Sequence, residues 1–179
     1  MNGLRDKVIL VTGAASGLGY ADAELLTESG ATVVMTDINE DSGKAVADRL
    51  GNFFLGQNVA DEHRWSEIMS EIKDRFGQLD GLVNNAGIAP IADIETTTTE
   101  VWRQTLAVHL DGTFFGCKTA LGLMKESGGG SIVNMSSTAA LIGIPDYLAY
   151  SAAKGGIRSM TKAIACLLYT SPSPRDLMR

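Results

Sequence analysis

The chain has 179 residues, of which 45% are hydrophobic and 20% charged, a composition that predicts one globular domain with an apolar core. Its net charge of −6 offers no basic surface to nucleic acid or to an anionic membrane, so a small soluble partner is expected. Cys117 and Cys166 lie far apart without a C-x-x-C pair or a neighbouring histidine, which predicts a cytoplasmic protein without a disulfide framework or a metal site. Charged residues in the segment 1–7 precede only a short apolar run, so neither a signal peptide nor a membrane span is predicted.

Strand-like and helix-like segments alternate along the chain. Continuous apolar runs rich in β-branched residues predict buried parallel strands, and apolar residues at helical spacing predict the helices between them. The predicted strands are 8–11, 31–36, one that starts at 53–55, 79–83 and 131–135; the predicted helices begin near 18, 40, 62, 98 or 99, and 145–147, and the fourth continues through 124. Repeated β-α-β units of this length imply right-handed crossovers, so the predicted fold class is α/β, with one doubly wound parallel sheet between helices.

The first strand and the first helix are joined by a glycine-rich turn, which contains Gly13, Gly17 and Gly19. Such a turn lets backbone N–H groups and the positive end of a helix approach a pyrophosphate, although a tight turn alone would also need glycine. Asp37 closes the next strand, at about the distance of 20 residues that ribose recognition requires. A carboxylate there accepts hydrogen bonds from the adenosine hydroxyls and repels a 2′-phosphate, so NAD is predicted over NADP; the alternative is that Asp37 caps the following helix.

A tyrosine and a lysine lie one helical turn apart, at Tyr150 and Lys154, and Ser137 lies thirteen residues before the tyrosine. Residues i and i+4 share one face of a helix, so the phenol and the ammonium would converge on the same small volume. A tyrosine has a pKa of about 10 in water, and a nearby positive charge favours its phenolate. That pairing suits the general acid and base of an alcohol/ketone reaction, although the spacing alone is common on helices.

The four motifs together resemble those of the classical short-chain dehydrogenase/reductases, over residues 4 to about 165. The motifs are the glycine turn, the segment 84–87 (Asn-Asn-Ala-Gly), Ser137, and Tyr150 with Lys154. The resemblance implies a Rossmann fold in which a hydride moves between nicotinamide and a carbonyl carbon. Tyr150 would transfer the proton, Lys154 would hold the nicotinamide ribose, and Ser137, rather than its neighbour Ser136, would bond the substrate oxygen. The cofactor-binding residues that it implies are Gly13, Ser16, Gly17, Leu18, Gly19, Asp37, Ile38, Asn58, Val59, Asn85, Ala86, Gly87, Tyr150 and Lys154.

Two positions depart from the family's pattern. Asn58 stands where the family usually has an aspartate before Val59; its amide could pair with the adenine amino group, or it could simply initiate the following turn. His109 stands where the family usually has the asparagine of its proton relay, on a distorted helix. A histidine can donate, accept and titrate near neutrality, so His109 is predicted to serve the relay; the alternative is a histidine that only packs between helices.

Substrate and partners are less specified by the sequence. The segments 89–92 and 138–144 would flank the substrate and are apolar without a charged anchor, which favours a small uncharged alcohol or ketone, although such runs also occur in cores and interfaces. An NADP-dependent carbonyl or 3-oxoacyl reductase is the alternative activity. The resemblance implies a homodimer or homotetramer for the full-length protein.

The C-terminal segment loses the family's pattern. The domain is expected to cover 1–165, and 166–179 a non-native or disordered tail, because Pro172 and Pro174 forbid helix continuation. Residues 166–176 resemble a translated sequencing adapter, and a genuine polar tail is the alternative. Since the family continues for roughly 250 residues in all, the chain is expected to be a truncated and inactive fragment of an active dehydrogenase.

Overall fold

The computed structural model describes the backbone of residues 3–169 and the side chains of residues 3–166. It contains five strands and six α-helices, with a π-helical turn between the fourth and fifth helices and a short 3₁₀ turn before the last. In chain order the elements are β1 (Val8–Thr12), α1 (Gly17–Glu28), β2 (Thr32–Asp37), α2 (Glu40–Leu50), β3 (Phe53–Gly56), α3 (Glu62–Phe76), β4 (Gly81–Asn84), α4 (Thr99–Leu106), the π turn (Ala107–Asp111), α5 (Gly112–Glu126), β5 (Ser131–Asn134), the 3₁₀ turn (Thr138–Ala140) and α6 (Leu148–Tyr169).

The strands form one parallel sheet in the order β3-β2-β1-β4-β5. The order reverses between β1 and β4, because the chain first builds outward from β1 and then crosses back to its other side. Such a reversal opens a crevice at the carboxyl ends of the two strands, where ligands of open α/β sheets bind. The predicted α/β class and the doubly wound parallel sheet are confirmed.

An apolar cluster covers each face of the sheet, and alternate side chains of β1 contribute to the two clusters. Leu10 faces a cluster that includes Trp65 and Ile72 of α3, while Val11 faces a cluster that includes Ala23 of α1. Because both faces are covered, all five residues of β1 are buried, which explains why the strand is a continuous apolar run.

The helices α2 and α3, whose boundaries agree most closely with the sequence prediction, have a capping residue at each end. Asn39 Oδ1 accepts a hydrogen bond from Ser42 N at the start of α2, and Asp61 does the same for the first turn of α3. Both helices end at a glycine with positive φ. A side-chain oxygen at the N-cap and a left-handed glycine at the end are strong local signals, so these helices lie where the pattern places them.

The predicted single helix from 98 or 99 through 124 is wrong in one respect. Thr98 caps it, but the helix is interrupted by the π turn Ala107–Asp111, which contains His109. The resemblance implies a distortion at this point, whereas apolar spacing alone gives no sign of it. π turns occur frequently at functional sites, so this one marks a position of interest.

The last helix begins at Leu148, just after the predicted start, and runs to Tyr169. Its backbone therefore extends past residue 165, where the sequence predicts the end of the domain. The adapter-like segment and the prolines that follow lie, from residue 170 onward, outside the residues that the structure describes. No helix within 3–169 is long and apolar enough to cross a membrane.

Candidate active site

The glycine turn holds β1, α1 and β4 in close contact. Gly13 and Gly17 adopt positive φ. A Cβ at Gly13 would lie 2.8 Å from Ala86 Cα, and one at Gly19 would lie 2.5 Å from Asn85 Nδ2. Glycine is therefore required here both for conformation and for space.

Thr12 fixes the other wall of the turn, and the sequence motifs did not single it out as a site residue. Its Oγ1 accepts hydrogen bonds from the N–H groups of Asn85 and Ala86, each at 3.1 Å. Asn85 in turn donates its side-chain amide to Thr12 O at 2.9 Å. These bonds tie the end of β1 to the segment after β4, so the two walls of the crevice are held at a fixed separation.

Asp37 lies at the carboxyl end of β2 and contacts the glycine turn. Its Oδ2 accepts from Ala15 N at 3.0 Å and its Oδ1 from Asn39 N at 2.9 Å. The residue that caps α2 is Asn39. Asp37 therefore does not serve as the N-cap, the alternative considered for it, and its carboxylate faces the space between the turn and the second strand.

A cavity of about 530 Å³ occupies the carboxyl ends of β1, β2 and β4. Most of the predicted cofactor residues line it: Gly13, Ser16, Leu18, Asp37, Ile38, Asn58, Val59, Asn85, Ala86 and Gly87. Gly17 and Gly19 shape the turn without lining the cavity. Gln57 and residues of α4 and the π turn also line it, although the sequence motifs did not predict them as site residues.

A second, smaller cavity of about 230 Å³ holds the predicted proton-transfer residues. Tyr150, Lys154 and His109 line it together, and so does Ser136. Ser137 does not line this cavity. Its Oγ accepts a hydrogen bond from Ala139 N at 3.2 Å, at the start of the 3₁₀ turn.

Lys154 is 95% buried, since only 5% of its surface is exposed. Its Nζ donates to Met135 O at 2.6 Å and lies 5.6 Å from the centre of the Tyr150 ring. Burial lowers the pKa of Lys154 to about 8. Met135 contributes through its backbone, which is why no residue type in the sequence signals its role.

His109 is 1% exposed and packs edge-on against the Tyr150 ring, with the ring centres 5.3 Å apart. Its Nε2 lies 2.6 Å from Ile88 O and 3.1 Å from Ile88 N, and we assign the proton to Nε2 because the contact with the carbonyl acceptor is the shorter one. Nδ1 is then an acceptor, and it is buried without a hydrogen-bond partner. Gly87 makes room for the ring, because a Cβ there would lie 3.0 Å from Nδ1.

Burial lowers the pKa of His109, and the nearby charge of Lys154 lowers it further, although the hydrogen bond to Ile88 partly opposes both. The imidazole is therefore neutral at physiological pH. The ring packs edge-on against Tyr150 and keeps Nδ1 without a partner among the described residues, and the relay role stays a prediction.

Asn58 shows the turn-initiating contact that the sequence allowed. Its Oδ1 accepts from Ala60 N at 3.1 Å. That oxygen retains one lone pair, and the side chain still borders the large cavity.

Within residues 3–169, no group of three or more His, Cys, Asp or Glu side chains could hold a metal ion.

The structure thus places a glycine-rich turn and a Tyr/Lys pair at the carboxyl edge of one parallel α/β sheet. The family model for short chain dehydrogenases matches residues 7–171. The chain belongs to this family of oxidoreductases.

Characterised relatives share about two fifths of their residues with the chain. An NADP-dependent (R)-specific alcohol dehydrogenase of Lentilactobacillus kefiri is 41% identical over 167 residues, 90% of this chain and 66% of that protein. A 3-beta-hydroxysteroid dehydrogenase of Comamonas testosteroni is 40% identical over 166 residues, 92% of this chain and 65% of that protein. An NAD-dependent glycerol dehydrogenase of Listeria innocua is 39% identical over 165 residues, 90% of this chain and 65% of that protein. The chain thus spans about two thirds of the length of these relatives.

Proposed function

We propose that this chain binds NAD and forms the cofactor-binding and proton-transfer part of an oxidoreductase that interconverts a secondary alcohol and a ketone. The observation that carries the proposal is one continuous crevice. The two cavities share Leu18, Asn85, Gly87 and Ile88 as lining residues, so they form a single groove. Asp37 lies at one end of this groove, and the Tyr150/Lys154 pair lies at the other.

The residues present fit a dinucleotide. Ser16 makes no side-chain hydrogen bond to the start of α1, so the N–H groups of the first turn are free for a pyrophosphate. Leu18 and Ile38 are 67% and 73% exposed at the rim of the crevice, which suits contact with the flat faces of the two heterocycles. Lys154 has one hydrogen-bond acceptor, Met135 O, so two of its N–H groups remain for ribose hydroxyls.

The preference for NAD rests on Asp37. Two backbone N–H groups hold its carboxylate at the adenosine end, and no lysine or arginine lines the large cavity. A 2′-phosphate would face this carboxylate without a compensating cation. NADP-dependent carbonyl or 3-oxoacyl reduction is the second candidate, because the relatives include one named as NADP-dependent and one named as NAD-dependent.

The double replacement of Asp37 with alanine and Ile38 with arginine tests the cofactor preference. The double replacement removes the repulsion and adds a cation, so NADPH should bind more tightly relative to NADH. The NADH dissociation constant divided by the NADPH dissociation constant should rise by roughly 10- to 100-fold. The measurement is nucleotide fluorescence on binding, with Asp41→Ala as the control for a carboxylate outside the cavity. An unchanged ratio would show that Asp37 does not select the cofactor.

The bound nicotinamide supplies the hydride acceptor or donor, and the chain supplies the proton. Tyr150 Oη takes the alcohol proton as the ketone forms and returns it in the reverse direction. The base that takes the alcohol proton is the Tyr150 phenolate, which the neighbouring Lys154 ammonium stabilises. The hydrogen bonds of the two serine hydroxyls favour Ser137 as the donor to the substrate oxygen. Ser136 Oγ already donates its proton to Lys154 O at 3.0 Å, whereas Ser137 Oγ accepts a hydrogen bond from Ala139 N. The Ser137 proton is free to donate.

His109 continues this hydrogen-bonding system on the far side of Tyr150. The neutral ring is fixed by Ile88 O, so its Nδ1 offers a lone pair near the tyrosine and lysine. We assign His109 the role of holding a water in the proton path, in place of the asparagine that the family usually has at this position.

The substrate side is apolar at its rim. Ile91, Leu141 and Ile142 are each more than 60% exposed in the two segments predicted to flank the substrate. These side chains favour an uncharged alcohol or ketone with apolar substituents, in agreement with the names of the alcohol and hydroxysteroid dehydrogenases above. Phe114, 46% exposed on α5, and its neighbours on that helix are proposed to lie in a homo-oligomer interface.

Two measurements test the proposed function. NADH titration, followed by nucleotide fluorescence, should saturate with one site per chain; absence of binding would indicate a fragment without a working site. Turnover is then measured on a panel of secondary alcohols for the wild type and Tyr150→Phe. The phenylalanine variant should bind NADH like the wild type and lose turnover, whereas binding without turnover in the wild type would indicate a nucleotide-binding module.

A further inference from the structure

Three buried polar atoms without hydrogen-bond partners lie at the carboxyl ends of two neighbouring strands. They are Thr36 Oγ1 in β2 and both Nε2 and Oε1 of Gln57, which follows β3 directly. Thr36 is fully buried and Gln57 is 4% exposed. A buried primary amide with neither its acceptor nor its donors paired is uncommon in native proteins and calls for an explanation.

Gln57 borders the part of the crevice that takes the adenosine. It lines the large cavity together with Asp37 and Asn58. Its backbone N–H donates to Asp37 O at 2.9 Å, which fixes the residue beside the carboxylate assigned to the ribose. The base of a dinucleotide whose ribose lies at Asp37 would therefore lie near Gln57.

The chemistry of a primary amide matches adenine. The amide carbonyl accepts from the exocyclic amino group, while the amide N–H donates to the adjacent ring nitrogen, which gives two parallel hydrogen bonds. On the N6/N7 edge that an amide reads in adenine, hypoxanthine presents two acceptors, O6 and N7, so it cannot form the same pair. The neighbouring amide of Asn58 already accepts from Ala60 N and lies at the exposed surface, whereas the Gln57 amide has no partner.

We infer that Gln57 recognises the adenine base of the cofactor through its side-chain amide. The inference rests on the proposed function, since it requires a dinucleotide in the crevice. In the cofactor-free protein the amide is covered by its surroundings, and the side chain rotates toward the base on binding. The hydrogen bonds that it lacks in the free protein are then formed with the ligand.

The test compares two dinucleotides by isothermal titration calorimetry: NAD and its hypoxanthine analogue, which differ only at the amino group. The wild type should bind NAD roughly tenfold more tightly than the analogue. Gln57→Met keeps the length of the side chain without its amide, and it should bind both dinucleotides equally. Asn58→Ala tests the other amide that the resemblance places near the adenine, and discrimination should persist without it. Gln78→Met removes an amide that does not line the crevice and is the matched control.

The outcomes separate this inference from the proposed function. A wild type that binds neither dinucleotide overturns both. A wild type that binds NAD, with full discrimination retained in Gln57→Met or lost in Asn58→Ala, overturns only the role of Gln57.

The melting temperature of the cofactor-free protein gives an independent result. Gln57→Met should raise it, because the variant removes an unpaired buried amide while it keeps a similar volume. A lowered melting temperature would show that the amide is paired inside the protein, by Thr36 or by a water, and would overturn the inference.

Discussion

Replacing Lys154 with methionine should stabilise the cofactor-free protein while it removes the cation from the site. Lys154 is 5% exposed, and its only hydrogen-bond acceptor in the described part of the chain is Met135 O. None of the ion pairs among the described residues includes it. The fold therefore buries this ammonium without a carboxylate, and burial lowers the pKa of Lys154 to about 8.

The size and sign of the effect follow from this pKa. An unfolded lysine has a pKa of about 10.4, and the difference from the folded pKa corresponds to roughly 3 kcal/mol of destabilisation at neutral pH. Below pH 8 both states hold the proton and the full cost is present. Between pH 8 and about 10.4 the unfolded state holds more protons, so wild-type stability rises with pH. Methionine removes this cost but leaves Met135 O without its donor, which costs about 1 kcal/mol. The net gain at pH 7 is about 2 kcal/mol.

Urea unfolding at pH 7 and pH 9 measures this difference. Lys154→Met should be more stable than the wild type by about 2 kcal/mol at pH 7, and the gap should narrow by roughly 1 kcal/mol by pH 9. Lys162→Met is the control, because Lys162 is exposed on the same helix. A variant less stable than the wild type at pH 7, or a gap that does not change with pH, would refute the reasoning.

Three further substitutions test other contacts of the site. An NMR titration should give a midpoint below pH 6.5 for the ring of His109, whose signal is assigned with His109→Asn. The protein should lose stability as the pH falls below about 6.5. An NMR midpoint at or above that value would contradict the effect of burial. Gly19→Ala places a Cβ against the glycine turn and should lower NADH affinity at least about tenfold in a fluorescence titration, whereas Gly122→Ala, where a Cβ meets nothing within 4 Å, should bind NADH normally. Thr12→Val keeps the shape of the side chain but unpairs two N–H groups, so urea unfolding should show a loss of about 2 kcal/mol; an unchanged midpoint would mean that other acceptors replace Thr12.

The sequence predicted the fold where local signals and burial agree. The apolar runs of β1 and β2 are covered on both faces, so periodicity and tertiary structure impose the same pattern. Capped helices such as Glu40–Leu50 also lie where they were predicted. The π turn at Ala107–Asp111 was not signalled by apolar spacing, and the long-range contact that its His109 makes with Ile88 O is specified by no sequence pattern.

Only those features of the site that depend on residue type and spacing could be predicted from the sequence. Tyr150 and Lys154 share one cavity because helical spacing fixes their common face. The donor and acceptor roles of Ser136 and Ser137 depend on nearby backbone groups, Lys154 O and Ala139 N. No sequence pattern specifies those partners. Gln57 was likewise missed, since nothing in its residue type shows that the fold buries its amide unpaired.

Unpaired buried polar atoms occur in the structure beside the residues assigned to the site. Within the described chain they belong to Thr36, Gln57, His109 and Ser151. Thr36 precedes Asp37, Gln57 precedes Asn58, Ser151 follows Tyr150, and His109 packs against the Tyr150 ring.

Several other buried polar groups of the described chain are paired, including Thr12 and Lys154 at the crevice. Trp65 Nε1 donates to Val59 O, and Asn84 Nδ2 donates to Asn134 Oδ1. An unpaired polar atom destabilises the free protein, whereas a ligand that supplies the partner recovers that free energy as affinity. Since the unpaired atoms among the described residues lie beside residues assigned to the crevice, they support a polar ligand there, independent of the family's motifs.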